Sequence, residues 1–235
     1  MFFVGLLCTL TNKLTKKVKI QSSHFNFAKT SNFRLSWTEV DFQLSNYWEM
    51  QELLRGINIF LIGMMGTGKT TVGKLLAQEL GYRFFDTDVL IERVTQEPID
   101  KIFASIGEEN FRQIESQILI EVAACTKSVI ATGGGVILSS QNWSHLRHGL
   151  IIWLDASVEL LTARLANDQT RPLLKKTDLT SKLNSLLEQR RSLYTQGDLR
   201  IFINENDTPE MLVSRILEKI PSKIVSSLKI SKNQN

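Results

Sequence analysis

A glycine-rich loop that ends in lysine and threonine is the segment with the clearest chemistry. Residues Gly63–Thr70 read Gly-Met-Met-Gly-Thr-Gly-Lys-Thr and lie between an apolar run and an amphipathic helical pattern. In such a loop the backbone amides turn inward and hold phosphate oxygens at the positive end of the helix. The lysine reaches the outer phosphates, and the threonine hydroxyl is a ligand for magnesium. The predicted phosphate-binding residues are Gly66, Thr67, Gly68, Lys69, Thr70 and Thr71.

Two aspartates follow the second predicted strand, in the sequence Asp86-Thr87-Asp88. Strand alternation would point both carboxylates to the same side at the end of the strand. One carboxylate could then hold hydrated magnesium, while the other accepts a hydrogen bond from a substrate hydroxyl and orients it for attack on a phosphate. An Asx turn that caps a helix explains the same two residues equally well.

Three further segments carry side chains or backbone suited to a small anionic substrate. Arg112 lies beside the apolar stripe of a predicted helix, where it either follows the surface or grips a carboxylate with two hydrogen bonds. Gly133–Gly135 follow the third predicted strand and indicate either a close approach of backbone to a ligand or a mobile turn. Arg190 and Arg191 lie near the end of a leucine-striped helix, where arginine also suits the helix dipole.

A fourth arginine lies in a polar linker between two predicted helices. Arg171 begins the sequence Arg-Pro-Leu-Leu. A mobile lid of about residues 167–180 would bring its positive charge over the phosphates. Closure would also exclude water, which competes with the substrate as the phosphoryl acceptor.

The elements that must position these residues alternate between strand and helix. Short apolar runs occupy residues 57–62, 83–86, 129–131, 150–154 and 200–203, with helical patterns between them and a last helix from Pro209. This alternation predicts a parallel sheet with helices on both faces. Ligands of such sheets bind beyond the carboxyl ends of the strands, which is where the candidate residues lie.

The charge of the 235-residue chain is concentrated at its amino end. Residues 1–38 hold six of the 28 basic side chains and none of the 24 acidic ones, so the remainder is near neutral. The net charge of +4 therefore gives little support for nucleic-acid binding. Cys8 and Cys125 form neither a disulfide framework nor a metal motif, and Cys125 is predicted to be a small core residue. Outside every motif lie His24, His145 and His148.

The two ends of the chain are predicted to lie outside the folded domain of residues 51–220. Residues 1–50 have no regular apolar period, which favours a disordered leader, a transit-like segment or a start upstream of the native one. Their apolar run at residues 1–10 is shorter than the ~20 residues that span a membrane. Residues 221–235 are expected to be a basic, frayed tail. The expected location is the cytoplasm, or a plastid if the leader is a transit peptide.

Taken together, these segments resemble shikimate kinase over residues 57–220. The shared features are the loop ending in Gly-Lys-Thr, the Asp-Thr-Asp sequence, Phe-Arg followed by Glu115, the triple glycine, Arg-Pro-Leu-Leu, and an arginine four residues before Tyr194. The resemblance implies a three-layer α/β/α P-loop kinase fold with a central five-stranded parallel sheet and a mobile lid. It also implies Mg²⁺-dependent transfer of the γ-phosphoryl group of ATP to the 3-hydroxyl of shikimate by a monomer, a step toward chorismate.

The resemblance also assigns roles around the phosphates. Lys69, Asp88 and Arg171 form the implied catalytic set. Asp88 would bind the ring hydroxyl and assist its deprotonation, and Arg171 would reach ATP from the lid. Thr70 would bind magnesium, and Asp86 would support the ion from behind its direct ligands.

The remaining implied contacts are with shikimate itself. Asp88, Arg112 and Arg190 would bind its hydroxyl and its carboxylate, and the spacing from Tyr194 favours Arg190 over Arg191. The backbone presented to the ring would come from Gly133, Gly134 and Gly135.

Two alternatives remain at the level of sequence. Gluconate and nucleoside monophosphate kinases share the phosphate loop, although adenylate kinases have glycine where this chain has Thr70. A catalytically silent relative could bind nucleotide and act as an interaction module. Such a protein would be expected to lose Lys69, Asp88 or a clamping arginine, and this chain retains all of them.

Overall fold

The computed structural model describes residues 49–166 and 179–232, with side chains as far as residue 224. These residues belong to one compact unit, Tyr47–Asn235. The predicted leader lies outside the described residues except for its last two positions, and most of the predicted lid, including Arg171, also lies outside them. Residues 49–54 form a short helix ahead of the sheet.

Five parallel strands form the centre of the unit, in the order β2-β3-β1-β4-β5. Their bounds are β1 Ile59–Ile62, β2 Arg83–Asp86, β3 Ser128–Ala131, β4 Leu150–Ala156 and β5 Leu199–Ile203. β1, β3 and β4 are buried along their whole length, which is typical of a sheet with helices on both faces. The predicted five-stranded parallel sheet is confirmed.

Helices follow each of the five strands. They are α1 Lys69–Leu80, α2 Thr87–Thr95, α3 Ile99–Ala123, α4 Ser140–Leu146, α5 Val158–Leu165, α6 Leu179–Tyr194 and α7 Pro209–Lys232, and Val136–Leu138 form a 3₁₀ turn. Gly81 ends α1 in the left-handed conformation. α3 is kinked at Gly107, whose φ of 78° is not helical.

The core fills the space between the sheet and its helices. Trp153 of β4 and Tyr194 of α6 are among the largest fully buried side chains, and their rings stack with centroids 5.7 Å apart. Leu61 of β1 is fully buried, so replacing it by alanine should cost about 2–5 kcal/mol of stability. Packing of this kind fixes the strand ends and hence the loops beyond them.

Two expectations about particular residues differ from the structure. α7 does not end near Pro221 but continues to Lys232, so residues 221–232 are helical rather than frayed. Proline removes one backbone hydrogen bond, but Ile220 is fully buried and Ile224 packs against the core on either side of it. Cys125 is half-buried in the turn after α3 instead of lying in the core. None of the helices within the described ranges is long and apolar enough to cross a membrane.

Candidate functional site

The phosphate loop lies where β1 meets α1. Gly68 is the N-cap of α1 and has a φ of 86°, a conformation that favours glycine. It has no side chain to cap the first turn, so the amides at the start of α1 are directed toward the loop. Thr67 is buried, and its hydroxyl donates to the Met64 carbonyl at 2.8 Å, which fixes the turn. This arrangement suits an anion held by backbone nitrogens.

The polar side chains of the loop converge on its rim. Lys69 Nζ donates to the carbonyls of Gly63 and Met64, each at 2.9 Å, and therefore lies over the loop. Thr70 Oγ1 donates to Asp86 Oδ2 at 2.6 Å. Thr71 lies exposed in the first turn of α1.

A magnesium ion fits the pairing of Thr70 with Asp86. A hydroxyl and a carboxylate oxygen are the hard ligands that Mg²⁺ prefers, and the ion usually completes its shell with water and phosphate oxygens. Among the described residues, no group of three or more His, Cys, Asp or Glu side chains could hold a metal ion by itself. The residues present therefore suit an ion that is shared with nucleotide phosphates.

The two aspartates follow the helix-cap alternative that the sequence left open, and not strand alternation. β2 ends at Asp86 and α2 begins at Thr87, so Asp88 lies on a helix and strand alternation does not apply. Asp86 Oδ1 caps α2 by accepting from the backbone nitrogens of Asp88 at 3.0 Å and Val89 at 3.4 Å. Because its other oxygen accepts from Thr70, Asp86 serves as helix cap and candidate metal support together. Both carboxylates nevertheless line one cavity.

Arg112 on α3 is held by two carboxylates and two rings. Its guanidinium donates to Glu115 at 2.8 Å and to Glu108 at 3.0 Å. It also lies 5.4 Å from the ring centre of Phe111 and 5.7 Å from that of Phe103. The sequence left open whether Arg112 follows the surface or grips a carboxylate, and the structure directs it into the cavity.

Glu115 is the buried member of this group. Its exposure is 1%, and burial raises the pKa of the Glu115 carboxyl above its usual value, while the Arg112 cation acts in the opposite direction. Asp88 raises this pKa further, and Arg190 lowers it. Glu115 therefore lies within electrostatic range of all three predicted substrate-binding side chains.

Arg190 and Arg191 have different environments. Arg190 is 6% exposed, lines the cavity and donates to the Gly134 carbonyl at 3.1 Å. Arg191 is exposed on the other side of α6. Of the two, Arg190 is the arginine that lines the cavity, and its contact with a substrate stays a prediction. Burial raises the pKa of the Tyr194 hydroxyl to about 12, while the nearby Arg190 cation lowers it.

The triple glycine lies against these charged groups. A Cβ on Gly133 would contact a Glu115 oxygen and stand 2.7 Å from Asp88 Oδ1. A Cβ on Gly135 would overlap the Arg112 guanidinium. Gly133 and Gly135 are thus in close approach to protein side chains, which would have to move to admit a Cβ, whereas Gly134 has only an ordinary contact with Arg190.

One cavity of about 700 Å³ brings together seven of the fourteen predicted site residues. The predicted residues Gly66–Lys69, Thr71 and Gly133 are described but are not in its lining. Its polar lining is Thr70, Asp86, Asp88, Glu92, Asp100, Arg112, Glu115 and Arg190, beside Gly134 and Gly135. Its apolar lining is Met65, Val89, Pro98, Ile99, Phe103 and Phe111. Two arginines and two aspartates therefore share a space with the rim of the phosphate loop.

Some of these residues had no assigned role in the sequence analysis. The sequence motif includes Glu115 but predicts no function for it, and it predicts none for Phe103 or Glu108. The i,i+3 and i,i+4 spacing of Glu115 and Glu108 from Arg112 was a signal that could have found both. Phe103 gave no such signal, because it reaches Phe111 across the kink in α3.

The phosphate loop on a parallel α/β sheet and the adjoining anion-binding cavity define an ATP-dependent P-loop kinase. The family model "Shikimate kinase" matches residues 65–221. The chain belongs to the shikimate kinase family.

Individual relatives agree with the family match. A shikimate kinase of Rippkaea orientalis is 66% identical over 184 residues, which cover 78% of this chain and 97% of the relative. That of Trichormus variabilis is 58% identical over 173 residues, with coverages of 74% and 96%. The solved shikimate kinase of Acinetobacter baumannii in complex with shikimate is similar at a TM-score of 0.68 and 38% identity, and the match covers 74% of this chain and 97% of that structure.

Proposed function

We propose that this protein transfers the γ-phosphoryl group of ATP to the 3-hydroxyl of shikimate, with Mg²⁺ as cofactor. The observation that carries the proposal is that Asp88, Arg112 and Arg190 line one cavity beside Thr70 and Asp86. A ring that bears a carboxylate and a hydroxyl needs a cationic clamp at one end and a proton acceptor at the other. The cavity supplies both within reach of the phosphate loop.

The clamp fixes the ring by its carboxylate. Arg112 is oriented by Glu115 and Glu108 before the substrate arrives, and Arg190 is held by the Gly134 carbonyl. Guanidinium forks bind carboxylates with two parallel hydrogen bonds, which also define the orientation of the ring. Binding at that end directs the hydroxyl toward Asp88.

The phosphoryl transfer itself depends on alignment and charge. The 3-oxygen forms a bond with the γ-phosphorus, the bond from that phosphorus to the β,γ-bridging oxygen breaks, and the hydroxyl proton passes to the Asp88 carboxylate. Lys69 and the loop amides hold the phosphates in line. Bound magnesium, held at Thr70 and supported by Asp86, would neutralise charge on the phosphate oxygens. Arg171, outside the described residues, would add positive charge from the lid.

A direct assay of three acceptors tests the proposal. The release of ADP is measured with shikimate, gluconate and AMP at equal concentrations, and the product is identified by mass spectrometry and ³¹P NMR. We expect turnover with shikimate and formation of shikimate 3-phosphate. We expect Asp88→Asn to lower kcat by ~10²–10⁴-fold, the usual contribution of a general base. Preferred turnover of gluconate or AMP would refute the substrate assignment.

The silent interaction module is the second candidate, and calorimetry separates it from the enzyme. Shikimate binding without ADP release would support the module and contradict the proposed reaction.

We also propose, on family membership alone, that the enzyme acts as a monomer in the cytoplasm. Sedimentation equilibrium and cell fractionation test these two points.

A further inference from the structure

We propose that Thr87 is a positioning residue that holds the triple-glycine loop at the correct distance from Asp88. The inference rests on the proposed function, because it concerns how the same cavity binds its substrate. Thr87 lies between the two functional aspartates, but it does not line the cavity and is fully buried. Its hydroxyl accepts a hydrogen bond from the Gly133 backbone nitrogen at 2.8 Å.

The position of this hydrogen bond in the fold gives it a specific effect. The β2–β3 ladder ends with the pair Asp86 and Ala131, so no strand pairing holds the chain beyond that point. Thr132 turns toward β1, where its nitrogen and its hydroxyl donate to the Leu61 carbonyl at 3.1 and 3.0 Å. The bond from Gly133 to Thr87 connects the next residue to the start of α2 instead. It thus spans the gap between the two strand ends that carry the site.

The glycine loop is in contact with the predicted substrate-binding side chains on several sides. Gly133 lies close to Asp88, and the Gly134 carbonyl accepts from Arg190. Gly135 packs against the Arg112 guanidinium. A shift of the loop would therefore change the distance between the hydroxyl acceptor and the carboxylate clamp. The phosphate loop, on the other side of the cavity, has no such contact with Thr87 among the hydrogen bonds of the described residues.

Removing the Thr87 hydroxyl should change the kinetic constants for shikimate far more than those for ATP. T87V keeps the branched shape and leaves the Gly133 amide buried without its acceptor. We expect kcat/KM for shikimate to fall by roughly 5- to 100-fold, the range for one unsatisfied buried donor. The KM for ATP should stay within about twofold, since the phosphate loop is untouched. T87S, the matched control, keeps the hydroxyl and should behave like the unmodified protein.

The experiment combines steady-state kinetics in both substrates with amide hydrogen exchange at residues 132–135. Faster exchange at Gly133 in T87V, with a selective loss for shikimate and rescue in T87S, would support the inference. Equal losses for both substrates, unchanged kinetics in T87V, or a T87S variant as impaired as T87V would overturn it. If T87V does not fold, T87A is compared with T87S, and normal shikimate kinetics in T87A would overturn the inference. Failure of the proposed function is distinct, because the unmodified protein would then not turn over shikimate.

Discussion

The substitution Glu115→Gln should weaken shikimate binding without lowering the stability of the fold. Glu115 is 1% exposed and accepts from Arg112 at 2.8 Å, whereas Glu108, the other carboxylate on Arg112, has a side chain that is 63% exposed. Truncating one partner of a buried charged pair costs about 2–5 kcal/mol. Glutamine keeps the shape and one acceptor oxygen, so we expect the lower end, about 2 kcal/mol. That corresponds to a rise of roughly 30-fold in the KM for shikimate.

Although Glu115→Gln should weaken shikimate binding, it should not lower the stability of the fold. Burial raises the folded-state pKa of Glu115 above its ordinary value of 4.5. The native state therefore binds the proton of the Glu115 carboxyl more tightly than the unfolded chain does. The stability that this difference contributes is complete below pH 4.5 and is lost as the pH rises through the folded-state pKa. Above the folded-state pKa, the ionised Glu115 carboxylate is unfavourable for folding. Glu115→Gln should leave Tm unchanged or raise it.

The assay is steady-state kinetics with varied shikimate, combined with thermal unfolding at the same pH. Glu108→Gln is the matched control, because it removes the exposed partner of the same arginine. An exposed pair contributes about 0–1 kcal/mol, so its effect on KM should be less than about fivefold. Equal effects of the two substitutions, or a large loss of Tm with normal KM in Glu115→Gln, would refute the reasoning and make Glu115 a structural residue.

The other predictions concern the clamp, the metal and the core. Arg190→Ala should weaken shikimate binding by about 30-fold or more in calorimetry, because it removes a buried charged partner. Replacing the exposed Arg191 by alanine should change the affinity less than about twofold. Equal effects of the two substitutions would contradict the assignment of Arg190. Thr70→Val should lower kcat/KM for Mg-ATP by about 10-fold in a magnesium titration, whereas Thr70→Ser should retain the unmodified value. A Thr70→Val variant with unchanged kcat/KM would exclude the hydroxyl as a magnesium ligand. Tyr194 has a pKa raised to about 12, so its stabilising effect is present below pH 10 and is lost between pH 10 and 12. Tyr194→Phe should therefore lessen the fall in Tm measured from pH 9 to 12. An unchanged profile of Tm against pH would contradict this prediction.

Much of the fold could be predicted because its signals are local. The strands are short apolar runs bounded by polar residues, and each one lies within two residues of its predicted bounds. The phosphate loop and the start of α1 are likewise defined by consecutive residues. The frayed tail expected from residue 221 onward was wrong as far as Lys232, because burial of Ile220 in the core outweighs the hydrogen bond that Pro221 removes from α7.

The site was less predictable because its geometry depends on contacts between distant segments. For Asp86 and Asp88 the sequence left strand alternation and a helix cap equally open, and the structure has the cap: Asp86 caps α2, so Asp88 lies on the helix. Nothing in the spacing of Phe103 indicates that it reaches Arg112, since the kink at Gly107 sets their relation. The sequence supplied the residue types, and the ends of β2, β3 and α6 determined which of them meet.

The buried charge at Glu115 has a cost for folding and a benefit for binding, and both follow from one arrangement. A free arginine side chain loses about 2 kcal/mol of rotamer entropy when it is fixed on a ligand. Glu115, Glu108 and the ring of Phe111 fix Arg112 in advance, so that loss is incurred during folding and not when the substrate binds. An apolar residue at position 115 would relieve the desolvated carboxylate but release the guanidinium. The burial of Glu115 is therefore best understood as preorganisation of the proposed clamp, since the same atoms that weaken the fold orient the cation that we propose as the partner of the substrate carboxylate.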